Sequence, residues 1–465
     1  MRITSASDTI CALSTAPGMG AIAVIRLSGP DSFRVIGQIF RPAEKGLDVG
    51  TAKSHTIHLG TLGNEAGILD EVLISLFRSP HSYNGEDVIE ISCHGSVYIQ
   101  QKVLELLFSC GLRMAAPGEF TLRAFMNRKF DLSQAEAVAD LIASHSASSH
   151  DLAIQQMRGG FSRKIHALRR SLIDFTALIE LELDFSEEHM IFADRSDFKE
   201  LLATIIFELS ALIASFSLGN VIKTGIPVAI IGKPNVGKST LLNVLLNEEK
   251  AIVSEIPGTT RDAIEDTIVI GGYSFRFIDT AGLRAAEDQI ETIGIERTWE
   301  KISEASIILY VFDATQQSFT DVSNAIAEFR DFTAGNARTM ILIGNKMDKL
   351  KVLPRGFREF VEFDTIFVSG KRRENIHEIA AHLVKVVENT RVSDHTLVSN
   401  SRHYEALKCA LDAVVCVRDG LSGGLSPDLM TTDLRSALYH LGEITGEVTT
   451  DEILGAIFSR FCIGK

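Results

Sequence analysis

The sequence predicts a multidomain chain: an α/β P-loop nucleotide-binding domain, a smaller α/β domain ahead of it, and all-α regions on both sides. Three observations predict this. An apolar run at 227–231 leads into Gly232-Lys-Pro-Asn-Val-Gly-Lys-Ser239 and then into a helical stretch at 240–246, the strand, glycine loop and helix of a phosphate-binding loop. Apolar strands then recur with helices between them, at 228–231, 267–270, 275–278, 307–312, 340–343 and 366–368, the pattern of a doubly wound sheet. Outside that stretch the signals separate, with strands before about residue 120 and helices from there to 223 and after about 381.

With 465 residues the chain has room for two to four domains, taking roughly 100–200 residues each. Hydrophobic residues make up 45% and charged residues 23%, enough for ordinary globular cores. The net charge of −14 argues against a general nucleic-acid coat protein but leaves a local basic patch open. Cys11, Cys93, Cys110, Cys409, Cys416 and Cys462 are scattered, without CxxC pairs. Neither a zinc site nor a disulfide framework is expected, and reduced thiols fit a cytoplasmic protein. No signal peptide is read at the start, and no apolar run is read as reaching the roughly 18 residues of a membrane helix.

In the N-terminal region, residues 9–13, 21–27, 71–77 and 88–92 read as strands and 97–110 as a helix. Arg26 lies between Ile25 and Leu27, and Glu90 between Ile89 and Ile91. Taken alone, each reads as an outward-facing residue on a half-buried strand, and Lys129 as a solvated loop lysine. Ser133-Gln-Ala-Glu136 reads as a capping box, followed by one long helical pattern through 154–175 and another at 198–216. Arg158, Arg163, Lys164, Arg169 and Arg170 read as a solvated helix face, with a tRNA-facing patch as the sharper alternative. Beyond the nucleotide domain, 404–417 and 433–441 read as helices, and Thr449-Thr-Asp-Glu452 as a capping box opening 453–461.

The nucleotide motifs fall at strand ends. Gly232 and Gly237 let the backbone N–H groups of Asn235, Val236, Gly237, Lys238, Ser239 and Thr240 turn toward a polyphosphate. Lys238 reaches the terminal phosphates and Ser239 can hold Mg2+. The stretch Ser254, Glu255, Ile256, Pro257, Gly258, Thr259 and Thr260 offers a second hydroxyl, best assigned to Thr260, for the Mg2+ shell. Asp279, Thr280, Ala281 and Gly282 form a DxxG turn for the metal shell and γ-phosphate. Asn345, Lys346, Met347 and Asp348 end another strand. A carboxylate there accepts from N1–H and N2–H2 of guanine, a donor pair adenine lacks. Ser369, Gly370 and Lys371 fall where a loop would cover the base. Four such motifs in order point to GTP. Leu283 stands where Ras-like GTPases carry a water-orienting glutamine, so hydrolysis has to use another group.

Over its full length the chain resembles the tRNA-modification GTPases of the MnmE (TrmE) family. The resemblance rests on 232–239, 258–262, 279–284, Ile293-Gly-Ile-Glu-Arg297, Leu441-Gly-Glu-Ile-Thr-Gly446 and Phe461-Cys-Ile-Gly-Lys465. It implies a G domain at 224–382 inserted into a helical domain formed by 121–223 and 383–465. It further implies that residues 1–120 form a folate-binding, dimer-forming domain. The implied contacts to a tetrahydrofolate derivative match Arg26, Glu90, Lys129 and Lys465, revising the outward-facing reading of those charges. An implied K+ site matches Asn235, Ser254, Ile256 and Thr259, and the water-orienting carboxylate matches Glu291. Cys462 matches a family cysteine, read either as a chemical participant or as a buried thiol. The implied activity is GTP-dependent addition of a (carboxymethyl)aminomethyl group to C5 of the wobble uridine of certain tRNAs. The implied partners are a second copy of the chain, an FAD-dependent MnmG (GidA)-type subunit and tRNA. The competing reading is a regulatory Era/EngA-like GTPase switch, which shares the G-domain motifs alone.

Overall fold

The computed structural model describes residues 8–65, 67–184, 195–250, 267–278, 304–334, 339–352, 363–390, 396–423 and 427–464. The chain forms two compact units, one of residues 1–139, 155–207 and 406–465, the other of 140–154 and 208–405.

The first unit opens with β1 (Ile10–Leu13), β2 (Ile22–Ser28), α1 (Ser32–Ile39), β3 (Phe40–Pro42), β4 (Thr56–Asn64), β5 (Gly67–Phe77), β6 (Val88–His94), α2 (Val97–Ser109) and β7 (Arg113–Met114). These strands make one seven-stranded sheet in the order β3-β4-β5-β6-β2-β1-β7. One face carries Ile25, Leu27, Ile74, Leu76, Ile89 and Ile91, packed against Val35, Ile36 and Ile39 of α1 and Val103 and Leu107 of α2. Side chains alternate between the faces of a strand, so Arg26 and Glu90 emerge on the other face. There Ile10, Ala12, Ala115 and Phe120 form a small separate cluster with Tyr83.

Next come α3 (Glu119–Met126), α4 (Leu132–Ile142), α5 (Ala147–Met157), α6 (Gly160–Asp184) and α7 (Arg195–Thr224). Three sequence expectations shift here. The capping box of α4 is Asp131–Gln134, two residues earlier than expected. Asp131 Oδ1 accepts from the Gln134 N–H at 2.9 Å, and Gln134 Oε1 accepts from the Asp131 N–H at 3.1 Å. The long helical pattern divides at Gly159, whose φ of +76° only glycine adopts easily. Residues 198–224 are long and apolar enough to cross a membrane, contrary to the sequence reading. Phe198, Leu202, Ile205, Leu209 and Leu212 of α7 form a buried stripe at helical spacing, while Phe207 is exposed.

The second unit contains β8 (Ile226–Ile231), α8 (Lys238–Lys250), β9 (Thr267–Ile270), β10 (Tyr273–Phe277), β11 (Ile307–Asp313), α9 (Phe319–Ala334), β12 (Thr339–Asn345), β13 (Asp364–Phe367) and α10 (Ile376–Thr390). Its sheet runs β13-β12-β11-β8-β10-β9. All neighbours are parallel except the β9–β10 hairpin. Every residue of β8 and β11 is buried, as expected of parallel strands covered on both faces.

The chain finishes with α11 (Ser401–Gly423), α12 (Pro427–Thr445) and α13 (Asp451–Phe458). The N-cap of α13 is Thr450, whose hydroxyl accepts from the Ile453 N–H at 3.3 Å, one residue later than the expected box. Leu454, Phe458 and Phe461 pack with Leu122, Leu132 and Ala135 of α3 and α4. The end of the described chain thereby returns to the first unit's sheet domain.

Candidate functional sites

In the second unit, the loop after β8 is shaped by close approach. Gly232 has φ +146°, and a Cβ there would lie 2.0 Å from the Val311 carbonyl oxygen. At Gly237, φ +97°, a Cβ would lie 2.3 Å from Asn345 Nδ2. Neither position admits a side chain without moving backbone or the base motif. Lys238 opens α8, and its Nζ donates to the carbonyls of Gly232 at 2.6 Å and Lys233 at 2.8 Å. Those donors point into the loop, where a phosphate would take them over. Ser239 and Thr240 follow in the first turn of the helix.

The base-side residues form one hydrogen-bonded assembly. Asn345 Nδ2 donates to the Val236 carbonyl at 2.8 Å, and its Oδ1 accepts from the N–H of Lys346 at 2.8 Å and of Gly370 at 3.0 Å. Asn345 therefore ties the P-loop to the base-covering loop. Ser369 Oγ donates to Asp348 Oδ1 at 2.7 Å. That hydroxyl holds the Asp348 carboxyl below its ordinary pKa, keeping it an anion that can accept from a base. Met347 N–H donates to the Val368 carbonyl at 3.1 Å, and Lys371 lies exposed beyond Gly370.

Asp313, at the carboxyl end of β11, escaped the sequence reading. Its Oδ2 accepts from Lys346 Nζ at 2.7 Å, and the same Nζ donates to the Asn235 carbonyl at 2.8 Å. Its Oδ1 accepts from the Thr315 N–H at 2.9 Å and Oγ1 at 2.6 Å. Burial raises the Asp313 pKa, but Lys346 and Thr315 outweigh it and the net shift is downward. A carboxylate at a strand's carboxyl end in a doubly wound sheet is the signal that could have found it.

The sequence-predicted residues Ser254, Glu255, Ile256, Pro257, Gly258, Thr259, Thr260, Asp279, Thr280, Ala281, Gly282 and Glu291 lie outside the described residues, as does Lys465. Ile278, immediately before Asp279, donates to the Val228 carbonyl at 2.9 Å, beside the P-loop strand. Among the described residues no group of three His, Cys, Asp or Glu side chains could hold a metal ion.

The first unit holds a second polar site. Arg26 and Glu90 sit directly opposite each other in the antiparallel β2–β6 pair. Arg26 Nε and Nη2 donate to Glu90 Oε1 at 2.9 and 2.7 Å. The guanidinium lies 5.3 Å from the centre of the Tyr83 ring and 5.6 Å from that of Phe120. Both side chains are mostly buried, at 13% and 26% exposed, so the pair is an inward feature and not two solvated charges.

The tail closes this site. Gly464 carbonyl accepts from Ser14 Oγ at 3.2 Å and Arg26 Nη1 at 3.4 Å. Gly464 has φ +97°, and a Cβ there would lie 2.3 Å from the Leu13 carbonyl oxygen. One turn back, the Gly118 N–H donates to the Cys462 carbonyl at 3.3 Å. The Cys462 thiol is exposed, which removes the buried-thiol reading. The loop at 79–87 carries Tyr83, which meets Arg26, and Pro80, whose carbonyl accepts from Lys129 Nζ at 2.5 Å. Arg26, Glu90 and Lys129 are thus all arranged about strands β2 and β6 and this single loop. Tyr83, Phe120 and Gly464 were missed because an aromatic in a loop or a glycine in a tail carries no chemical signal until its neighbours are known.

Beneath this site, Arg123 is held by Asp8 at 2.6 Å, Glu119 at 2.9 Å and Glu86 at 3.3 Å. Arg113 joins Glu119 at 2.7 Å. These opposed charges are satisfied internally and brace α3 against β1.

Residues 132–462 match a family model described as the MnmE helical domain, and residues 9–129 one described as the GTP-binding protein TrmE N-terminus. A protein of Flavobacterium psychrophilum called tRNA modification GTPase MnmE is 50% identical over 459 residues, covering 98% of this chain and 99% of that protein. Its namesake in Bacteroides fragilis is 51% identical over 473 residues, covering 98% and 99%. That of Cytophaga hutchinsonii is 49% identical over 466 residues, covering 100% and 99%.

Proposed function

The chain belongs to the MnmE (TrmE) family of tRNA-modification GTPases, and from that premise we propose how its two sites divide the work. The chain is a GTPase acting in tRNA modification. The modification we assign is addition of an aminomethyl or carboxymethylaminomethyl group to C5 of the wobble uridine of certain tRNAs. It is carried out in the cytoplasm by a homodimer, together with an FAD-dependent MnmG (GidA)-type subunit in a heterotetramer or larger assembly. The domains we assign are 1–120, 121–223, an inserted G domain at 224–382, and 383–465.

For the nucleotide site, the observation that carries the reading is the Asn345–Val236–Gly370 network with Asp348 held anionic by Ser369. Asp348 takes the guanine N1–H and N2–H2, and Lys346 lies along the base side of the P-loop. Lys238 withdraws its donors from the loop carbonyls to the β- and γ-phosphates. Ser239 and Thr260 would hold Mg2+, which would supply charge neutralisation on the terminal phosphates. Asn235, Ser254, Ile256 and Thr259 would hold K+, which would supply a cation where an arginine finger otherwise acts. Glu291 orients the attacking water in place of the missing glutamine at Leu283. GTP turnover in K+ buffer is expected to exceed that in Na+ buffer, and equal rates would remove the K+ assignment.

For the one-carbon site, support comes from the Arg26–Glu90 pair, with two aromatic rings beside the guanidinium and Gly464 seated against it. A flat heteroaromatic with donors and acceptors on its edge suits such a frame: the pair reads the edge and the half-buried Tyr83 ring covers a face, while the fully buried Phe120 backs Arg26. Lys129 and Lys465 supply cations for the carboxylates of a 5-formyl- or methylene-tetrahydrofolate. The folate supplies the one-carbon unit when bound. The deciding experiment is mass spectrometry of tRNA nucleosides from cells lacking the protein. Unmodified wobble uridines are expected, and fully modified ones would overturn the assignment in favour of a GTPase switch.

A further inference from the structure

We propose that Arg128, Arg158 and Arg163, on two turns that meet in the first unit, hold the phosphate backbone of a tRNA beside the one-carbon site. The turn after α3 and the break between α5 and α6 are joined through α4. Gln134, whose Oε1 takes the Asp131 N–H, donates its Nε2 to the Met157 carbonyl at 3.0 Å. Ser162 Oγ donates to Asp131 Oδ2. A Cβ on Gly159 would lie 3.1 Å from Gln134 Nε2 and 3.6 Å from Arg163 Nη1. Residues 127–131 and 157–163 therefore form one continuous rim. Lys129, next to Arg128, points back to the Pro80 carbonyl, so the rim borders the loop that carries Tyr83.

The charge on this rim is uncompensated. Arg128, Arg158, Arg163 and Arg170 are exposed. Among the described residues none of them has a carboxylate partner within ion-pair distance. Arg163 Nη1 donates to a backbone carbonyl, that of Arg158, at 2.8 Å, which leaves its charge in place. Some exposed cations of this unit are paired, Arg34 with Asp31, Lys102 with Glu105 and Arg435 with Glu180, whereas Arg41, Lys45 and Lys53, also exposed, are scattered at the β3 end and do not converge on one rim. The nearby acids are already engaged. Asp131 accepts from Ser133 and Ser162, which keeps its charge but turns both its oxygens to those hydroxyls, and Glu447 is held by Arg169, with His166 beside both acids. Arg169 is thereby removed from the patch the sequence suggested, and Arg128 joins it. Guanidinium groups free of carboxylates are suited to bidentate phosphate contacts. On a chain of net charge −14, such a rim is where a polyanion is least repelled. The rim's position matters because the reacting base has to reach the one-carbon donor. That relevance rests on the folate reading, whereas the phosphate contact does not.

The test uses the full-length triple variant Arg128→Asn, Arg158→Glu, Arg163→Glu, with asparagine chosen because it tolerates the φ of +59° at position 128. Affinity for an unmodified tRNA transcript is measured by fluorescence anisotropy across a salt series. Affinity is expected to fall at least tenfold at low salt. The slope of log K against log salt should become shallower by about two to three. GTP turnover and calorimetric binding of 5-formyltetrahydrofolate should be unchanged. A control triple at Arg41, Lys45 and Lys53, at the far β3 end of the sheet, should retain affinity. An unchanged salt slope in the rim variant overturns the proposal, as does equal loss in the control. So does retained tRNA affinity with loss of binding to anionic vesicles or to an acidic protein. If wild type fails to bind the folate while the rim variant loses tRNA, the folate reading fails and the rim stands.

Discussion

Replacing Gly464 with alanine should weaken the proposed one-carbon site without touching any side chain in it. Position 464 has φ +97°, and the new methyl would start 2.3 Å from the Leu13 carbonyl oxygen. Backbone against backbone cannot yield by a rotamer change, so the tail has to lift. The strained φ costs an L-residue about 1–2 kcal/mol. Lifting the tail forfeits hydrogen bonds from Ser14 and Arg26 to the Gly464 carbonyl, of which the charged one is worth about 1.5–3 kcal/mol and the neutral one about 1. The partly exposed setting, the long 3.4 Å contact and the relief of the strained φ once the tail lifts bring the total below the simple sum, to about 2–4 kcal/mol. That corresponds to a loss of binding on the order of 30- to 1,000-fold for a ligand that needs the docked tail. Titration calorimetry with 5-formyltetrahydrofolate reads this directly, alongside Gly423→Ala, where a Cβ meets nothing within 4 Å. GDP affinity serves as the internal standard and should not move. If Gly464→Ala binds the folate as tightly as wild type, the tail does not help to form that site and the assignment of position 465 falls with it.

Four further outcomes follow from the two sites. Asp313→Asn should weaken GDP by a factor on the order of 10, through loss of the charged contact that aims Lys346. The Asp313 carboxyl is depressed in the folded state, so its stabilisation is complete above its ordinary pKa and is lost as pH falls through the lower folded value. Acid denaturation below about pH 4 should accordingly be less steep in that variant. Gly370→Ala should leave turnover within twofold, because a Cβ there meets Asn345 Oδ1 and Thr240 Cγ2 at an ordinary 3.6 Å; a loss of GDP binding would show that the base-covering loop is tighter than described. Glu291→Ala should keep GTP affinity and lower turnover about 100-fold or more, whereas a loss of affinity would place Glu291 in nucleotide binding. In native protein, iodoacetamide should label the exposed Cys409, Cys416 and Cys462 and spare Cys11 and Cys93. Burial pushes the Cys11 thiol up to about 12 and the Cys93 thiol up to about 11, and peptide mapping by mass spectrometry checks the pattern.

The nucleotide unit was legible because its parallel strands are apolar on both faces. Continuous runs such as 226–231 and 307–313 have no other common home, and the described motifs at 232–239, 345–348 and 369–371 sit at or just past a run's end. The sheet of the first unit was harder to read. Strand β4 went unseen because it contains Gly60 and Gly63. A Cβ at Gly60 would lie 2.3 Å from the Arg41 carbonyl oxygen, so β3 can approach only a glycine there. At Gly63 the register shifts against β5. Glycines that a close neighbour demands look, in one dimension, like a loop. The caps of α4 and α13 were each misplaced by one or two residues, since several Asp, Ser and Thr side chains compete for the role and only the backbone decides. Arg26 and Glu90 were legible as odd charges in apolar strands. That they face each other depends on register across 64 positions, which no local pattern encodes.

The contact between Ser14 and Gly464 spans 450 positions, and this gives the protein a timetable. At translation rates of about 5–20 residues per second, β1 waits roughly 20 to 90 s before the segment that seals it has been made. Through that interval the sheet domain carries Arg26 without its last acceptor, while the nucleotide unit is synthesised. A chain cut short late in synthesis would therefore present Ser14 and Arg26 without the Gly464 carbonyl that both reach in the finished protein.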